Sequence, residues 1–153
     1  MKLAMYKGPA SDPLHKLSHW FTCLWTRSKY SHCELVFNGS GIMAPKSLCA
    51  SSSARDGGVR LKYIDLTSGH WDVYELPQFD ALDEAEARAW FYAKADRSAG
   101  YDWFGLLWFV LPIKAFNNPR RWFCSEAVAA ALDLQKPHKL HPRKLLTLVA
   151  AKG

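Results

Sequence analysis

The sequence predicts a single α+β domain, covering residues 1–153, in which a small antiparallel sheet packs against helices. Its length of 153 residues lies in the usual range for one domain, and a hydrophobic fraction of 49% is enough to build one continuous core. Four consecutive strand patterns form a predicted meander, and helical patterns follow them. No internal repeat, low-complexity tract or linker divides the chain.

The first part of the chain contains a strand, a helix and two further strands. Residues 2–6 fit a short strand, and apolar residues at helical spacing within 14–26 predict an amphipathic helix. Residues 30–37 are rich in β-forming side chains and are followed by the turn-forming cluster 38–41. We therefore expect a strand on each side of this turn, the second over residues 42–51.

The meander is completed by two strands, and helices are expected beyond it. A loop of small residues ending in two glycines leads to predicted strands over 59–64 and 71–76. Asp80 and Asp83 are typical N-terminal capping residues and begin a helix that runs to about residue 97. Three further helices are predicted over residues 103–109, 125–134 and 143–151.

Charge and hydropathy limit the classes of partner. A net charge of +6 favours anionic partners, but the basic residues are dispersed, so no nucleic-acid binding is expected. The longest apolar stretch, 103–113, is about half of the roughly 20 residues that a membrane span needs. No transmembrane segment is expected, although this stretch could contact a membrane surface. The sequence does not predict an oligomeric state.

The opening residues lack a long apolar run followed by a small-residue cleavage site. The sequence therefore predicts no secretory signal, and we expect a cytoplasmic protein. If the chain is phage-encoded, the corresponding location is the host cytoplasm or the virion.

Cys124 is the candidate nucleophile because a predicted helix begins directly after it. Cysteine catalysis requires a thiolate, and the partial positive charge at a helix N-terminus stabilises one. The unpaired amides of the same helix turn can hold an oxyanion, so Ser125 is a candidate for the oxyanion site or the cleft lining. The alternative is a buried structural thiol, which position in the sequence alone does not exclude.

His32 is the candidate base, since it is the only one of the six histidines that falls within a predicted strand. Glu34 lies two residues along, on the same face of that strand, and is the candidate to orient the imidazole. Ser51 and Ser52, expected on the neighbouring strand, are the other candidates for this role. The structural alternatives are a half-buried histidine and a solvated cross-strand charge pair.

No metal or other cofactor is expected. Cys23, Cys33, Cys49 and Cys124 are far apart in sequence without a CxxC pair, so free thiols are the preferred interpretation. A zinc site built from His32 and the last three cysteines is a weaker hypothesis. Its ligands lack useful spacing, and His32 and Cys33 would point to opposite faces of one strand.

Taken together, these residues resemble the permuted NlpC-type cysteine hydrolases of the papain-like superfamily. The resemblance rests on Ser31-His32 on an early strand, Gly100-Tyr101-Asp102-Trp103 later, and Phe123-Cys124-Ser125-Glu126 opening a helix. Most of the superfamily has the cysteine helix first, whereas the YiiX-like branch has the histidine strand first, as here. The run from Ser52 to Val59 is also similar to a small group of phage-encoded relatives.

This resemblance implies a circularly permuted papain-like fold and further site residues. Tyr101 corresponds to the tyrosine of a Tyr-x-Trp segment that lines the active site in the wider family. YiiX-like proteins tend to carry a glutamate on the strand after the histidine strand, where this chain has Ser51 or Ser52. The third catalytic residue therefore remains open between these serines and Glu34.

The activity implied is that of a thiol protease or amidase, which cleaves a peptide-type amide through an acyl-enzyme. Peptides, including those of peptidoglycan, are the expected substrates. A lipid-directed acyltransferase or thioesterase on the same scaffold is the alternative enzyme, and it would be favoured if residues 103–113 lay exposed beside the cleft. A non-catalytic phage-encoded binding or inhibitory module is the alternative of another class. Such a module would be expected to lack the nucleophile or the base, and both are present here.

Overall fold

The structure, a computed structural model, describes residues 1–8, 23–24, 27–39, 46–97, 100–101 and 121–150. Within these ranges the α+β architecture is as predicted: a sheet packs against helices. The predicted helices over 14–26 and 103–109 lie outside the described residues, except that residues 23 and 24 are helical.

Seven strands of the described chain form one sheet in the order β5-β1-β2-β3-β4-β6-β7. Neighbouring strands are antiparallel, apart from the parallel pair β6–β7. The strands are β1 (Lys2–Tyr6), β2 (His32–Val36), β3 (Lys46–Ser53), β4 (Gly58–Asp65), β5 (Trp71–Glu75), β6 (Gly100–Tyr101) and β7 (Arg121–Trp122).

The prediction of a four-strand meander is wrong for its last strand. Strands β2, β3 and β4 pair in succession, but β5 pairs with β1 at the opposite edge, where Met5 lies opposite Asp72. The pattern of β5 predicts a strand but carries no information about its neighbour, because any strand of suitable length can complete the hydrogen bonds of an open sheet edge. This crossing covers the free edge of β1, and β1 becomes an interior strand of the sheet.

Three α-helices are described, and each begins and ends close to its predicted position. They are α1 (Ala81–Asp96), α2 (Cys124–Ala131) and α3 (Pro142–Ala150), with a short 3₁₀ helix (Pro137–Lys139) between the last two. The predicted cap of α1 is present, since the Asp80 carboxylate accepts hydrogen bonds from the backbone N–H groups of Leu82 and Asp83. The carboxylate of Asp83 accepts in turn from the N–H of Asp80 and completes a capping box.

The two faces of the sheet bury different amounts of apolar surface. All three helices contribute to one large core, in which Leu35 of β2 packs with Phe91 of α1, Val128 of α2 and Leu145 of α3. The other face carries a small separate cluster that includes Val36. In β2, Cys33 and Leu35 thus belong to the core under the helices, and Val36 belongs to the cluster on the opposite face.

Candidate active site

Helix α2 packs against β2 and β3, and Cys124 is its first residue. Phe123 precedes it in an extended conformation and provides no side-chain cap. The partial positive charge of the helix start therefore acts directly at Cys124. Cys124 is 5% exposed, whereas a quarter of the His32 side chain (25%) is accessible to solvent.

Cys124 and His32 lie close enough for each side chain to shift the pKa of the other. A hydrogen bond from the Cys33 thiol lowers the pKa of Cys124, burial opposes this, and the charge and hydrogen bond of His32 reinforce it, so the pKa lies well below its ordinary value of 9.0. For His32, burial acts to lower the pKa, but the charge of Cys124 and the hydrogen bonds to Cys124 and Glu34 raise it to about 9. The arrangement favours a thiolate–imidazolium pair at neutral pH.

Glu34 holds the far side of the imidazole ring. His32 Nε2 lies 2.7 Å from Glu34 Oε1, which leaves Nδ1 as the ring nitrogen available to Cys124. Glu34 is only 1% exposed, and burial acts to raise its pKa. The hydrogen bonds and positive charge of Arg60, followed by those of His32, outweigh burial, and the pKa lies below its ordinary value. Glu34 is therefore an ionised carboxylate in contact with the candidate base.

Arg60 is a site residue that the sequence analysis missed. Its guanidinium binds both carboxylate oxygens of Glu34, with Nη1 donating to Oε2 at 2.6 Å and Nη2 donating to Oε1. Asp56 accepts from Arg60 Nε at 2.9 Å, and Gly57, with a φ of 81°, allows the tight turn that carries Asp56. Only the strand order reveals this contact, because Arg60 lies two strands away from Glu34, opposite Ser51.

Ser51 and Ser52 bond backbone carbonyls on either side of β3. The hydroxyl of Ser51 donates to the carbonyl of Cys33 at 2.7 Å, and that of Ser52 donates to the carbonyl of Trp122 at 2.6 Å. Both serines are fully buried. These two bonds attach the start of β2 and the segment before Cys124 to β3. The carboxylate that contacts the imidazole ring of His32 belongs to Glu34.

The remaining candidates from the sequence, Ser125 and Tyr101, have no described side-chain contact with Cys124, His32 or Glu34. Ser125 lies in the first turn of α2 and is fully buried, and its hydroxyl has no hydrogen-bond partner among the described residues. It does not line an open surface. Tyr101 pairs with Trp122 across β6 and β7, so its backbone lies close to the segment that enters α2. Its side chain lies outside the part of the chain that the structure describes.

Cys33 is a second residue that the sequence analysis did not assign to the site. It is fully buried on the helix side of β2, in the same core cluster as Cys124. Burial, followed by the hydrogen bond and charge of Cys124, raises the pKa of Cys33 well above its ordinary value. Cys33 thus remains a protonated donor to the thiolate. Cys49 belongs to the small cluster on the opposite face, where burial raises its pKa to about 12.

All four cysteines are free thiols, and no group of three or more His, Cys, Asp or Glu residues suited to a metal ion occurs within the described ranges. A helix long and apolar enough to cross a membrane is also absent from these ranges. Comparison of the sequence with models of known protein families and with curated proteins yields no match.

Proposed function

We propose that this chain is a cysteine hydrolase of the permuted NlpC-type, papain-like class and that it cleaves a peptide-type amide bond. One observation carries the proposal: a cysteine at a helix start lies beside a histidine, each side chain shifts the pKa of the other, and the histidine Nε2 contacts a buried, ionised glutamate. A histidine strand that precedes the cysteine helix in the chain supports the YiiX-like branch.

In the proposed acylation step, the Cys124 thiolate attacks the substrate carbonyl carbon and a C–S bond forms. The oxyanion accepts a hydrogen bond from the backbone amide of Cys124 at the start of α2. The protonated His32 then donates its Nδ1 proton to the leaving nitrogen, the C–N bond breaks, and the amine departs. The product of this step is a thioester on Cys124 with a neutral imidazole beside it.

Deacylation uses the same groups, with His32 acting as a base instead of an acid. Neutral His32 takes a proton from water, the resulting hydroxide attacks the thioester, and the C–S bond breaks to release the acid and the thiolate. Glu34 stabilises the imidazolium that donates a proton in acylation and that forms when His32 takes a proton in deacylation. Arg60 keeps Glu34 ionised although it is buried, so we assign it as a positioning residue.

A peptide-type substrate, including the peptides of peptidoglycan, remains the leading hypothesis. The net charge of +6 agrees with acidic cell-wall polymers as partners. The lipid-directed alternative depended on an exposed apolar surface at 103–113, and these residues lie outside the described part of the chain. No described contact therefore favours lipid over amide.

The first test is the pH dependence of iodoacetamide alkylation at each cysteine, followed by mass spectrometry in the wild type and in His32→Ala. We expect Cys124 to react well below pH 8 and to lose this reactivity in the variant, because the imidazolium no longer stabilises its thiolate. Cys49 is the internal control, since its raised pKa should keep it unreactive in both proteins. A Cys124 no more reactive than Cys49 would mark it as a structural thiol.

Turnover is tested with peptidoglycan peptides and with acyl esters, using Cys124→Ala as the matched inactive protein. We expect amide cleavage by the wild type and a loss of hydrolysis in the variant, with circular dichroism showing that both are folded. Hydrolysis retained by Cys124→Ala would exclude the mechanism. A reactive Cys124 with no turnover on either substrate class would instead support the binding-module alternative.

A further inference from the structure

The candidate nucleophile lies in the same buried cluster as a second thiol. Cys33 and Cys124 both belong to the main core, where helix α2, which begins at Cys124, packs against β2, which carries Cys33, and each thiol shifts the pKa of the other. The Ser51 hydroxyl holds the carbonyl of Cys33 at 2.7 Å, so the backbone that carries this thiol is fixed. Acylation forms a bond only to the sulfur of Cys124, so the hydrolase mechanism leaves the chemistry of the neighbouring Cys33 sulfur unassigned.

We propose that Cys33 is a resolving thiol, which forms a reversible disulfide with Cys124 when a peroxide oxidises the nucleophile. The proposal rests on the proposed function in one respect: it requires Cys124 to be a thiolate. It adds a modification site and a partner of defined chemistry, a hydroperoxide, to that site.

The chemistry proceeds in two balanced steps. The Cys124 thiolate attacks one oxygen of hydrogen peroxide, an S–O bond forms, the O–O bond breaks, and the departing hydroxide takes a proton to become water. The sulfur of Cys33 then attacks the sulfenic acid, an S–S bond forms, and the S–O bond breaks. The hydroxide released takes the proton of Cys33. Two thiols have lost two electrons in total, and the peroxide has been reduced to two water molecules.

The environments of the two thiols suit these separate roles. Oxidation begins at the sulfur with thiolate character, which is Cys124, whereas the protonated Cys33 is protected until a sulfenic acid forms beside it. Cys49 is equally buried but lies in the cluster on the other face of the sheet. It therefore provides a matched control that shares the burial of Cys33 and lacks its contact with Cys124.

The wild type and the variants are treated with a molar excess of hydrogen peroxide, because oxidation of a thiol to sulfinic acid consumes more than one equivalent. The remaining thiols are then blocked, and the linked peptides are mapped by mass spectrometry. We expect a Cys33–Cys124 disulfide that dithiothreitol reverses with full recovery of alkylation at Cys124. In Cys33→Ser, Cys124 should proceed to sulfinic acid and recover less than about a tenth of its reactivity, since no resolving thiol is present. Cys49→Ser should behave like the wild type.

Two results overturn the proposal: absence of the Cys33–Cys124 peptide from oxidised wild type, or equal recovery in Cys33→Ser and wild type. The wild-type peptide map decides the matter even if the variant does not fold. The rate of alkylation of Cys124, measured before oxidation, distinguishes a failure of the resolving role of Cys33 from a failure of the proposed hydrolase function. A fast-reacting Cys124 without a disulfide overturns the resolving role alone, and an inert Cys124 overturns both.

Discussion

Two carboxylates of the same sheet each bind positively charged side chains. Glu34 lies in the interior, and Asp72 lies nearer the surface. Glu34 of β2 is 1% exposed and binds Arg60 and His32. The side chain of Asp72 of β5 is 23% exposed and accepts from Lys7, from Lys29 at 2.9 Å and from the hydroxyl of Tyr30 at 2.7 Å. Each carboxylate has several donors, and the two differ mainly in their access to water.

The pKa of each carboxyl lies below its ordinary value for different reasons. At Asp72, hydrogen bonds from Lys7, Tyr30 and Lys29 lower the pKa, and burial opposes them only weakly. At Glu34, burial is the largest influence and acts in the opposite direction, so the contacts of Arg60 and His32 must overcome it. The ionised state of Glu34 therefore depends on its partners. Asp72, whose pKa burial raises only weakly, would stay ionised without them. Removal of a partner should matter much more at the first carboxylate than at the second.

The largest effect is expected from Glu34→Gln. The change removes a buried carboxylate and leaves the partly exposed Arg60 and His32 without their anion. Removal of one member of a buried ion pair costs about 3–5 kcal/mol, which is the upper range here. Hydrolysis should fall about 100-fold or more, because the imidazolium is no longer stabilised or oriented. Urea unfolding and kcat/KM measure the two effects.

The double variant Glu34→Gln with Arg60→Met separates charge from packing in this cluster. It should be less destabilised than the sum of the single variants, because no unpaired buried charge remains. Its activity should stay low, since His32 still lacks its carboxylate. Additive stability losses, or hydrolysis restored in the double variant, would show that the cluster does not act as one unit.

An intermediate effect is expected from pH through the Cys124–His32 pair. The raised pKa of His32 contributes stability that is present below 6.5 and is lost as pH rises to about 9. The depressed pKa of Cys124 contributes stability that is present above 9.0 and is lost as pH falls towards its folded-state value. The two contributions cancel between pH 6.5 and 9. Below 6.5 only the loss from Cys124 remains, with a slope of up to about 1.4 kcal/mol per pH unit.

The measurement is the free energy of unfolding between pH 5 and 9 for the wild type and for Cys124→Ala. The wild type should be nearly constant from pH 6.5 to 9 and lose stability below this range. The variant has no thiol at position 124 and lacks the Cys124 contribution that raises the pKa of His32, so the loss of stability that the wild type shows below pH 6.5 should be absent from it. Parallel curves for the two proteins would rule out a thiolate–imidazolium pair.

The smallest effect is expected from Asp72→Asn. Its lysine partners lie at the surface, where water and salt screen them, and the loss of stability should be several-fold smaller than for Glu34→Gln. Raising the salt concentration to 1 M should weaken the effect of Asp72→Asn further and leave that of Glu34→Gln nearly unchanged. Equal effects of the two substitutions at either salt concentration would mean that burial does not distinguish the clusters.

The local patterns of the sequence predicted most of the described elements. The strands at Lys2–Tyr6 and His32–Val36 and the helix that begins at Cys124 lie where periodicity and turn residues indicated. The placement of Glu34 on the same face as His32 also followed from the two-residue repeat of a strand. These features depend on residues within a few positions of one another, and a single sequence records such relations directly.

Contacts between distant segments were decided by the tertiary structure. Three of these contacts join segments that are far apart in the chain. They are the pairing of β5 with β1, the ion pair between Arg60 and Glu34, and the proximity of Cys33 to Cys124. Local periodicity indicates which face a side chain occupies, but strand order and helix docking determine what that side chain meets there. The sequence by itself thus predicted most of the elements and the candidate nucleophile and base, and it left the orienting residue open between Glu34, Ser51 and Ser52. Only packing decided which residues hold that carboxylate ionised and which thiol lies beside the nucleophile, because these depend on the free energy of the whole fold.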